Sequence, residues 1–308
     1  MADKIPLVAV VGPTASGKTG LGIAIAKHYG GEVVSADSMQ IYRGLPVGTA
    51  APTEREMQGV PHHLIGFLPP EQPFSVAQWT QMAAQCIDDI AARGKTPIVA
   101  GGTGLYLTSL VKGVRFAPQK QDPALRRKLE QTLADEGAQA LYRRLCELDP
   151  DYAKTVHPNH TSRVLRALEV CMLTGGTVSR QLASSLPEQP PYDARIWALN
   201  ADTREALYRN IDRRVDAMLQ AGLLREARWV YDNRQRFSTA AQAIGYKEFF
   251  GWFEGGETLE ACTARLKQAT RRYAKRQLTW LRHMDGVQWE RANDPLAARR
   301  IADAYRTL

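Results

Sequence analysis

The chain has 308 residues, 44% of them hydrophobic and 23% charged, with a formal net charge of +8. That length supports one large core or a core with a smaller companion, and the composition excludes a disordered chain. No run of 18 apolar residues exists, so no membrane-spanning helix is expected, and the first residues lack a signal peptide's apolar stretch, so a cytoplasmic protein is expected.

Leu7-Val8-Ala9-Val10-Val11 is a continuous apolar run rich in β-branched residues and predicts a strand buried on both faces. The motif Gly12-Pro13-Thr14-Ala15-Ser16-Gly17-Lys18-Thr19 follows, and then a helix over 21–29 that Gly30-Gly31 stops. A second strand runs over 32–35 and ends at Ala36-Asp37-Ser38, and a short strand is possible over 61–66. Ser75 is placed to cap a helix over 76–93. A further strand over 96–100 breaks at Gly101-Gly102-Thr103-Gly104. Strands alternating with helices predict a parallel sheet wrapped by helices.

The pattern changes after Phe116. From 117 to 189 it is helical, with helices over 123–136, 138–148, 150–156 and 162–174, punctuated by Gly175-Gly176 and the prolines of 187–191. Strand character returns over 195–199, helices follow, and a late strand lies around 287–289. The expected organisation is a P-loop core of residues 1–116 and 195–308 interrupted by a helical insertion domain of residues 117–194. The four cysteines, Cys86, Cys146, Cys171 and Cys262, are too far apart in sequence for a Cys-x-x-Cys pair and read as buried reduced thiols.

Residues 12–19 match the P-loop pattern G-x-x-x-x-G-K-[ST] between a strand and a helix. The glycines let backbone N–H groups curl around phosphate oxygens, and the helix N-terminus adds partial positive charge. Lys18 supplies a point charge for a terminal phosphate, and the Thr19 hydroxyl suits Mg²⁺. A nucleotide hydrolase would follow with a strand ending in an Mg²⁺-holding Asp, but the strand over 96–100 ends in Gly-Gly-Thr. The acid stands instead at Asp37, at the ligand-facing end of its strand, where it can accept a proton from an acceptor nucleophile. A loop-capping aspartate is the plainer alternative. His62 and His63 are adjacent on a strand and point to opposite faces, which favours a structural role over a metal pair.

The charge is localised. Residues 261–284 hold seven Lys or Arg and no Asp or Glu. A helical wheel puts Lys267, Arg271, Lys275 and Arg282 on one side and Leu266, Tyr273, Trp280 and Leu281 on the other. Such a face suits a polyanion such as nucleic acid, or is simply solvated.

Several segments together carry a family likeness. They are 12–19, Ser-Ala-Asp-Ser-Met-Gln-Ile-Tyr-Arg-Gly at 35–44, Val-Gly-Thr-Ala at 47–50, Val-Pro-His-His-Leu at 60–64 and Gly-Gly-Thr-Gly-Leu-Tyr at 101–106. Arg-Ala-Leu-Glu-Val at 166–170, Ala-Ile-Gly-Tyr-Lys-Glu at 243–248 and Lys-Arg-Gln-Leu-Thr-Trp-Leu-Arg at 275–282 complete the set. In this order over nearly the whole chain, they resemble the bacterial tRNA dimethylallyltransferases of the tRNA isopentenyltransferase family. The cysteine spacing shows no sign of the zinc-finger extension of eukaryotic relatives, so the bacterial form is expected.

The resemblance implies transfer of a dimethylallyl group from dimethylallyl diphosphate to N6 of the adenosine 3′ of the anticodon, with release of diphosphate and help from Mg²⁺. Gly12, Pro13, Thr14, Ala15, Ser16, Gly17, Lys18 and Thr19 would grip the diphosphate, with Thr19 at the metal. Asp37 would be the general base, with Thr103 and Lys18 beside it in catalysis. Contacts to the tRNA anticodon stem-loop would come from Asp37, Ser38, Met39, Gln40 and Thr103. Others would come from Ser162, Arg163, Val164, Leu165 and Arg166, from Ala243, Ile244, Gly245, Tyr246, Lys247 and Glu248, and from Lys275, Arg276, Gln277 and Arg282. A monomer without membrane attachment suffices. Two rivals remain at this point: a small-molecule kinase with ATP on the same loop, and a non-catalytic RNA-binding protein.

Overall fold

The computed structural model describes residues 4–117, 122–292, 294 and 296–306. The chain enters through β1 (Ile5–Val11), α1 (Lys18–Tyr29) and β2 (Glu32–Ala36), then passes α2 (Pro46–Thr49), α3 (Glu54–Met57) and the short β3 (His62–His63). Next come α4 (Val76–Ala92), β4 (Pro97–Gly101) and α5 (Gly104–Val111). Residues 112–189 form a separate helical unit of α6 (Pro123–Glu136), α7 (Ala138–Leu148), α8 (Pro150–Ala153), α9 (Thr161–Thr174) and α10 (Val178–Ser185). The first unit resumes with β5 (Tyr192–Asn200), α11 (Arg204–Gln220), α12 (Leu223–Asp232), α13 (Phe250–Phe253), α14 (Leu259–Arg282), β6 (Val287–Arg291) and α15 (Ala297–Arg306).

The six strands form one parallel sheet in the order β3-β2-β4-β1-β5-β6. β1 is central because its residues have nothing polar to offer water on either face. Leu7, Ala9 and Val11 pack with Trp79, Ile87 and Ile90 of α4 and Leu107 of α5. Val8 and Val10 pack with Ile23 and Ile25 of α1 and Ile301 of α15. Burying each such branched side chain stabilises by about 1.5–3 kcal/mol. Ser75 caps α4 as expected, in a reciprocal box with Gln78. His63 bonds Glu32 at 2.7 Å and His62 bonds the Val60 carbonyl at 2.8 Å, both structural partners.

Three boundaries differ from the sequence reading. β1 and β5 are longer because Ile5, Pro6 and Leu7 pair with Tyr192, Asp193 and Ala194, so residues 192–194 belong with the sheet and not with the helical segment. Residues from Lys112 group with the helical unit, where the Arg115 amide donates to Ser185 O at 2.7 Å. Helix α1 starts at Lys18, inside the P-loop motif, because Gly17 in the left-handed region (φ 86) is its N-cap. Four helices had no counterpart in the sequence reading: the one-turn α2 and α3, α5 behind its glycine run, and the short α10.

The helical unit has its own core of Leu129, Leu141, Leu145, Val164, Leu165 and Leu168. Its buried Asp149 accepts the Tyr152 and Ser179 amides at 3.1 and 2.9 Å, joining the starts of α8 and α10. Of the cysteines, Cys171 and Cys262 are buried and Cys86 and Cys146 half-buried, all as free thiols.

Candidate active site

Strand order decides which loops meet. β2, β4 and β1 are consecutive neighbours, with Ala36 and Val11 both level with Gly101. The Asp37 loop, the Gly102-Thr103 turn and the P-loop therefore emerge side by side from the carboxyl ends of three adjacent strands, where open α/β sheets bind ligands.

The P-loop is shaped for an anion. Ala15 (φ 62) and Gly17 (φ 86) are both left-handed, a conformation that costs a residue with a Cβ about 1–2 kcal/mol. Alternating right- and left-handed residues turn successive N–H groups into one concavity. The first amide of α1 to bond back is Leu21, to Gly17 O at 3.2 Å, so the first-turn amides stay directed outward. Lys18 and Thr19 line a cavity of about 390 Å³ together with Asp37, Arg214, Tyr273 and Lys247.

The cavity carries competing charges. Burial and then the Arg214 guanidinium push the Lys18 ammonium down to about 8, and the Asp37 carboxylate works against them. Burial likewise pulls Arg214 below the usual arginine range, against Asp37 and then Glu56. Two desolvated cations beside one carboxylate leave the pocket short of negative charge, which an anionic ligand would supply.

Asp37 does cap its loop: Oδ1 accepts the Met39 amide at 2.9 Å and the Gln40 amide at 3.4 Å. Its Oδ2 has no hydrogen bond among the described residues, so one oxygen orients the group and the other can take a proton. Thr103 stands between the loops. Its amide donates to Ala36 O at 3.0 Å, and its Oγ1 accepts the Ser38 amide at 3.0 Å and donates to Ser38 Oγ at 3.3 Å. Burial raises the Tyr273 phenol well above its ordinary value, with Asp37 adding to the effect and the nearby Thr103 and Gln277 side chains opposing it.

Several residues expected at RNA are committed elsewhere. Gln277 is buried, not exposed: its Oε1 accepts the Thr14 amide at 2.8 Å and its Nε2 donates to Gly102 O at 2.9 Å. Gln40 accepts the Ser35 hydroxyl at 3.1 Å and donates to Ala50 O at 3.1 Å, so its amide is fixed to the protein although it lines the cavity. Tyr246 is buried and donates to Glu226 at 2.5 Å, and that carboxylate also accepts the Val47 and Gly48 amides at 2.9 and 2.7 Å. Glu248 is buried and accepts the Gly245 amide at 2.9 Å. The stretch 243–248 thus mainly locks the 46–50 turn, leaving Ala243, Ile244 and Lys247 at the cavity.

In the helical unit, Val164 and Leu165 are core, Arg166 pairs with Glu169 at 3.3 Å, and Ser162 and Arg163 are exposed. The basic helix is α14, and part of the expected free face is neutralised: Lys267 pairs with Asp216 at 2.6 Å and Arg271 with Asp212 at 3.3 Å. Arg272, Lys275, Arg276 and Arg282 are exposed, and Arg276 stacks over Tyr273 at 5.5 Å. Trp280 is not on the packed side; it is 38% exposed and lies over Gly104.

Arg214 and Tyr273 are the site residues that sequence reasoning missed. Both come from helices, α11 and α14, with no motif around them. Among the described residues no group of three or more His, Cys, Asp or Glu could hold a metal.

A family model described as IPP transferase matches residues 40–284, and one described as isopentenyl transferase matches residues 5–65. A tRNA dimethylallyltransferase of Geobacillus kaustophilus is 48% identical over 289 residues, covering 94% of this chain and 90% of that protein. The crystal structure of a full-length tRNA isopentenylpyrophosphate transferase from Bacillus halodurans superposes with a TM-score of 0.72 at 41% identity, over 99% of this chain and 95% of that one. A eukaryotic dimethylallyltransferase caught acting on tRNA gives a TM-score of 0.81 at 31% identity, over 99% of this chain and 78% of that one.

Proposed function

The chain belongs to the IPP transferase family, and from that premise we infer that it is a tRNA dimethylallyltransferase: it moves the dimethylallyl group of dimethylallyl diphosphate to N6 of the adenosine 3′ of the anticodon and releases diphosphate. The observation that carries the chemistry is one cavity holding the P-loop cations and a half-free carboxylate. The N6 lone pair forms the new C–N bond as the allylic C–O bond breaks, and the bonding electrons leave on the diphosphate. Lys18, Arg214 and the outward amides of the P-loop stabilise that growing charge. Asp37 Oδ2 takes the proton that N6 loses. Thr103 holds the Asp37 loop in register with the P-loop.

Mg²⁺ fits only as a shared ion. Thr19 offers one hydroxyl in the cavity, and among the described residues no acidic cluster competes for the metal, so the remaining ligands would be diphosphate oxygens and water. Bound there, the ion would neutralise charge on the leaving group.

For RNA we assign the exposed Lys275, Arg276 and Arg282 of α14, Lys247 at the cavity, and Ser162 and Arg163 of the helical unit, with the target base extruded toward Asp37. Phosphate contacts of this kind position the stem-loop, and the pocket selects the base. The protein acts as a single chain in the cytoplasm, where its RNA substrate is found.

The deciding experiment offers labelled dimethylallyl diphosphate and unmodified tRNA, with ATP in a parallel reaction. Label passing to tRNA from the prenyl donor is the expected result. Phosphate transfer from ATP without prenylation would replace this reading with a kinase.

A further inference from the structure

We propose that Gln277 is a positioning residue for the donor: its side-chain amide is the strut that sets the P-loop against the Gly102-Thr103 turn. The proposal rests on the reading of the P-loop as a diphosphate cradle.

Gln277 lies on the inner face of α14, 6% exposed, and touches two loops that no other side-chain hydrogen bond among the described residues joins directly. Its Oε1 takes the Thr14 amide at 2.8 Å, and its Nε2 gives a hydrogen to Gly102 O at 2.9 Å. The fit is close on both sides. A Cβ on Gly102 would overlap Gln277 Nε2, so a side chain there would displace the strut.

The chemistry demands an amide. Thr14 offers a donor and Gly102 an acceptor, and among side chains that do not titrate near neutral pH only Asn and Gln present an acceptor and a donor on one planar group. Asn is one methylene shorter. An ionised glutamate would accept from Thr14 but face the Gly102 carbonyl with negative charge, and would add a repelling charge beside a bound diphosphate.

Two consequences follow for the site. Thr14 N–H is turned toward protein, so the anion is left to the amides nearer Lys18. The distance from the cradle to Thr103, and through the Ser38 amide to Asp37, is held from α14 instead of by the loops themselves. A glutamine that merely satisfied buried backbone would affect stability alone. A strut affects how the donor is held.

The test uses Gln277→Glu and Gln277→Met in the full-length enzyme. Readouts are inorganic diphosphate affinity by calorimetry, donor KM and kcat, tRNA affinity and thermal midpoint, all at matched pH from 5.5 to 8.5. A protonated glutamate carries both an acceptor and a donor and mimics the amide, and burial favours that protonated form. At low pH the Gln277→Glu variant is expected to bind diphosphate like the parent. As pH rises, its diphosphate affinity relative to the parent falls by roughly tenfold or more, the effect of losing one buried bond and gaining a repelling charge. Gln277→Met, similar in length but without hydrogen bonds, is expected to lose roughly tenfold at every pH while tRNA affinity holds.

A variant-to-parent ratio near one at all pH values overturns the proposal. So does a defect confined to tRNA affinity, which would make Gln277 an RNA contact. If neither variant folds at 20 °C, the residue is a determinant of folding and the positioning role is rejected. A parent that binds diphosphate but transfers no prenyl group would refute the assigned reaction and leave the strut standing.

Discussion

The Ser38 amide donates to Thr103 Oγ1 at 3.0 Å, which ties the loop carrying Asp37 to the turn beside the P-loop. Thr103→Ala frees that amide and loosens the aspartate. The single-turnover rate is expected to fall by about 10- to 100-fold, the range of one lost buried hydrogen bond. Thr103→Ser keeps the oxygen and is expected to retain most of the rate. Equal rates for both variants would mean that the clamp does not orient Asp37.

Asp37→Asn separates the two jobs of that side chain. Asparagine Oδ1 can still accept the Met39 and Gln40 amides, so the loop should keep its shape. It cannot take a proton from N6. Single-turnover transfer is expected to slow by about 10²–10⁴-fold, with tRNA affinity unchanged. A rate within a few fold of the parent would assign the proton to another acceptor.

Lys18 gives the free enzyme a titration near 8. Its protonated form binds the donor, so kcat/KM for dimethylallyl diphosphate is expected to be level below that value and to fall above it. Arg214 is one of the groups that lower the Lys18 value, so Arg214→Met should move the alkaline limb to higher pH while weakening donor binding overall. The pH profile of donor kcat/KM in parent and variant checks both signs. A limb that moves to lower pH would show that Arg214 does not act on Lys18 through charge.

How far the site could be read from the chain follows from how local each part is. The P-loop, Asp37 and Thr103 lie within a few residues of a strand end, so motif and strand pattern place them. Arg214 and Tyr273 reach the cavity from α11 and α14, and only tertiary packing decides which face of those helices looks inward. The same reason hid the roles of Gln277 and Tyr246. A polar side chain in a basic or motif-rich stretch looks exposed until its buried partners, Thr14 and Gly102 for one and Glu226 for the other, are found. Helix α5 escaped because its start, Gly101 to Gly104, reads as a turn. Those glycines are there for closeness: a Cβ on Gly101 would overlap the Ala36 carbonyl.

The basic helix α14 divides into paired and free charges, and the two groups should behave differently. Lys275→Ala with Arg276→Ala removes exposed cations, so tRNA affinity and its dependence on salt should both fall, the slope by roughly one unit per lost phosphate contact. Lys267→Ala and Arg271→Ala remove groups already paired with Asp216 and Asp212 and should leave the slope unchanged. Affinities measured across a salt series decide this. Equal slopes for the first variant and the parent would remove α14 from the RNA surface.

Glu32 tests the fold without touching the chemistry. It is buried at the start of β2, the end away from Asp37, and its carboxylate meets Arg93 at 2.5 and 2.8 Å, Lys95 at 2.7 Å and His63 at 2.7 Å. The Arg93 bonds first, then those of Lys95 and His63, hold its pKa far below the usual 4.5, against the opposing pull of burial. The folded state therefore binds fewer protons than the unfolded state as pH drops below 4.5. The stability this carboxylate contributes is fully present above that value and is lost as pH falls further. Glu32→Gln leaves Arg93, Lys95 and His63 without their shared anion. Unfolding free energy at pH 7 is expected to drop by about 3 kcal/mol, the lower end for a broken buried pair because Arg93 and Lys95 keep access to water. Its decline toward pH 3 should be shallower than the parent's. Denaturant midpoints across pH measure both effects, and parallel declines would show that Glu32 contributes nothing to the acid limb. Prenyl transfer by the folded variant at 20 °C should match the parent, since these contacts lie at the opposite end of the strand from the base.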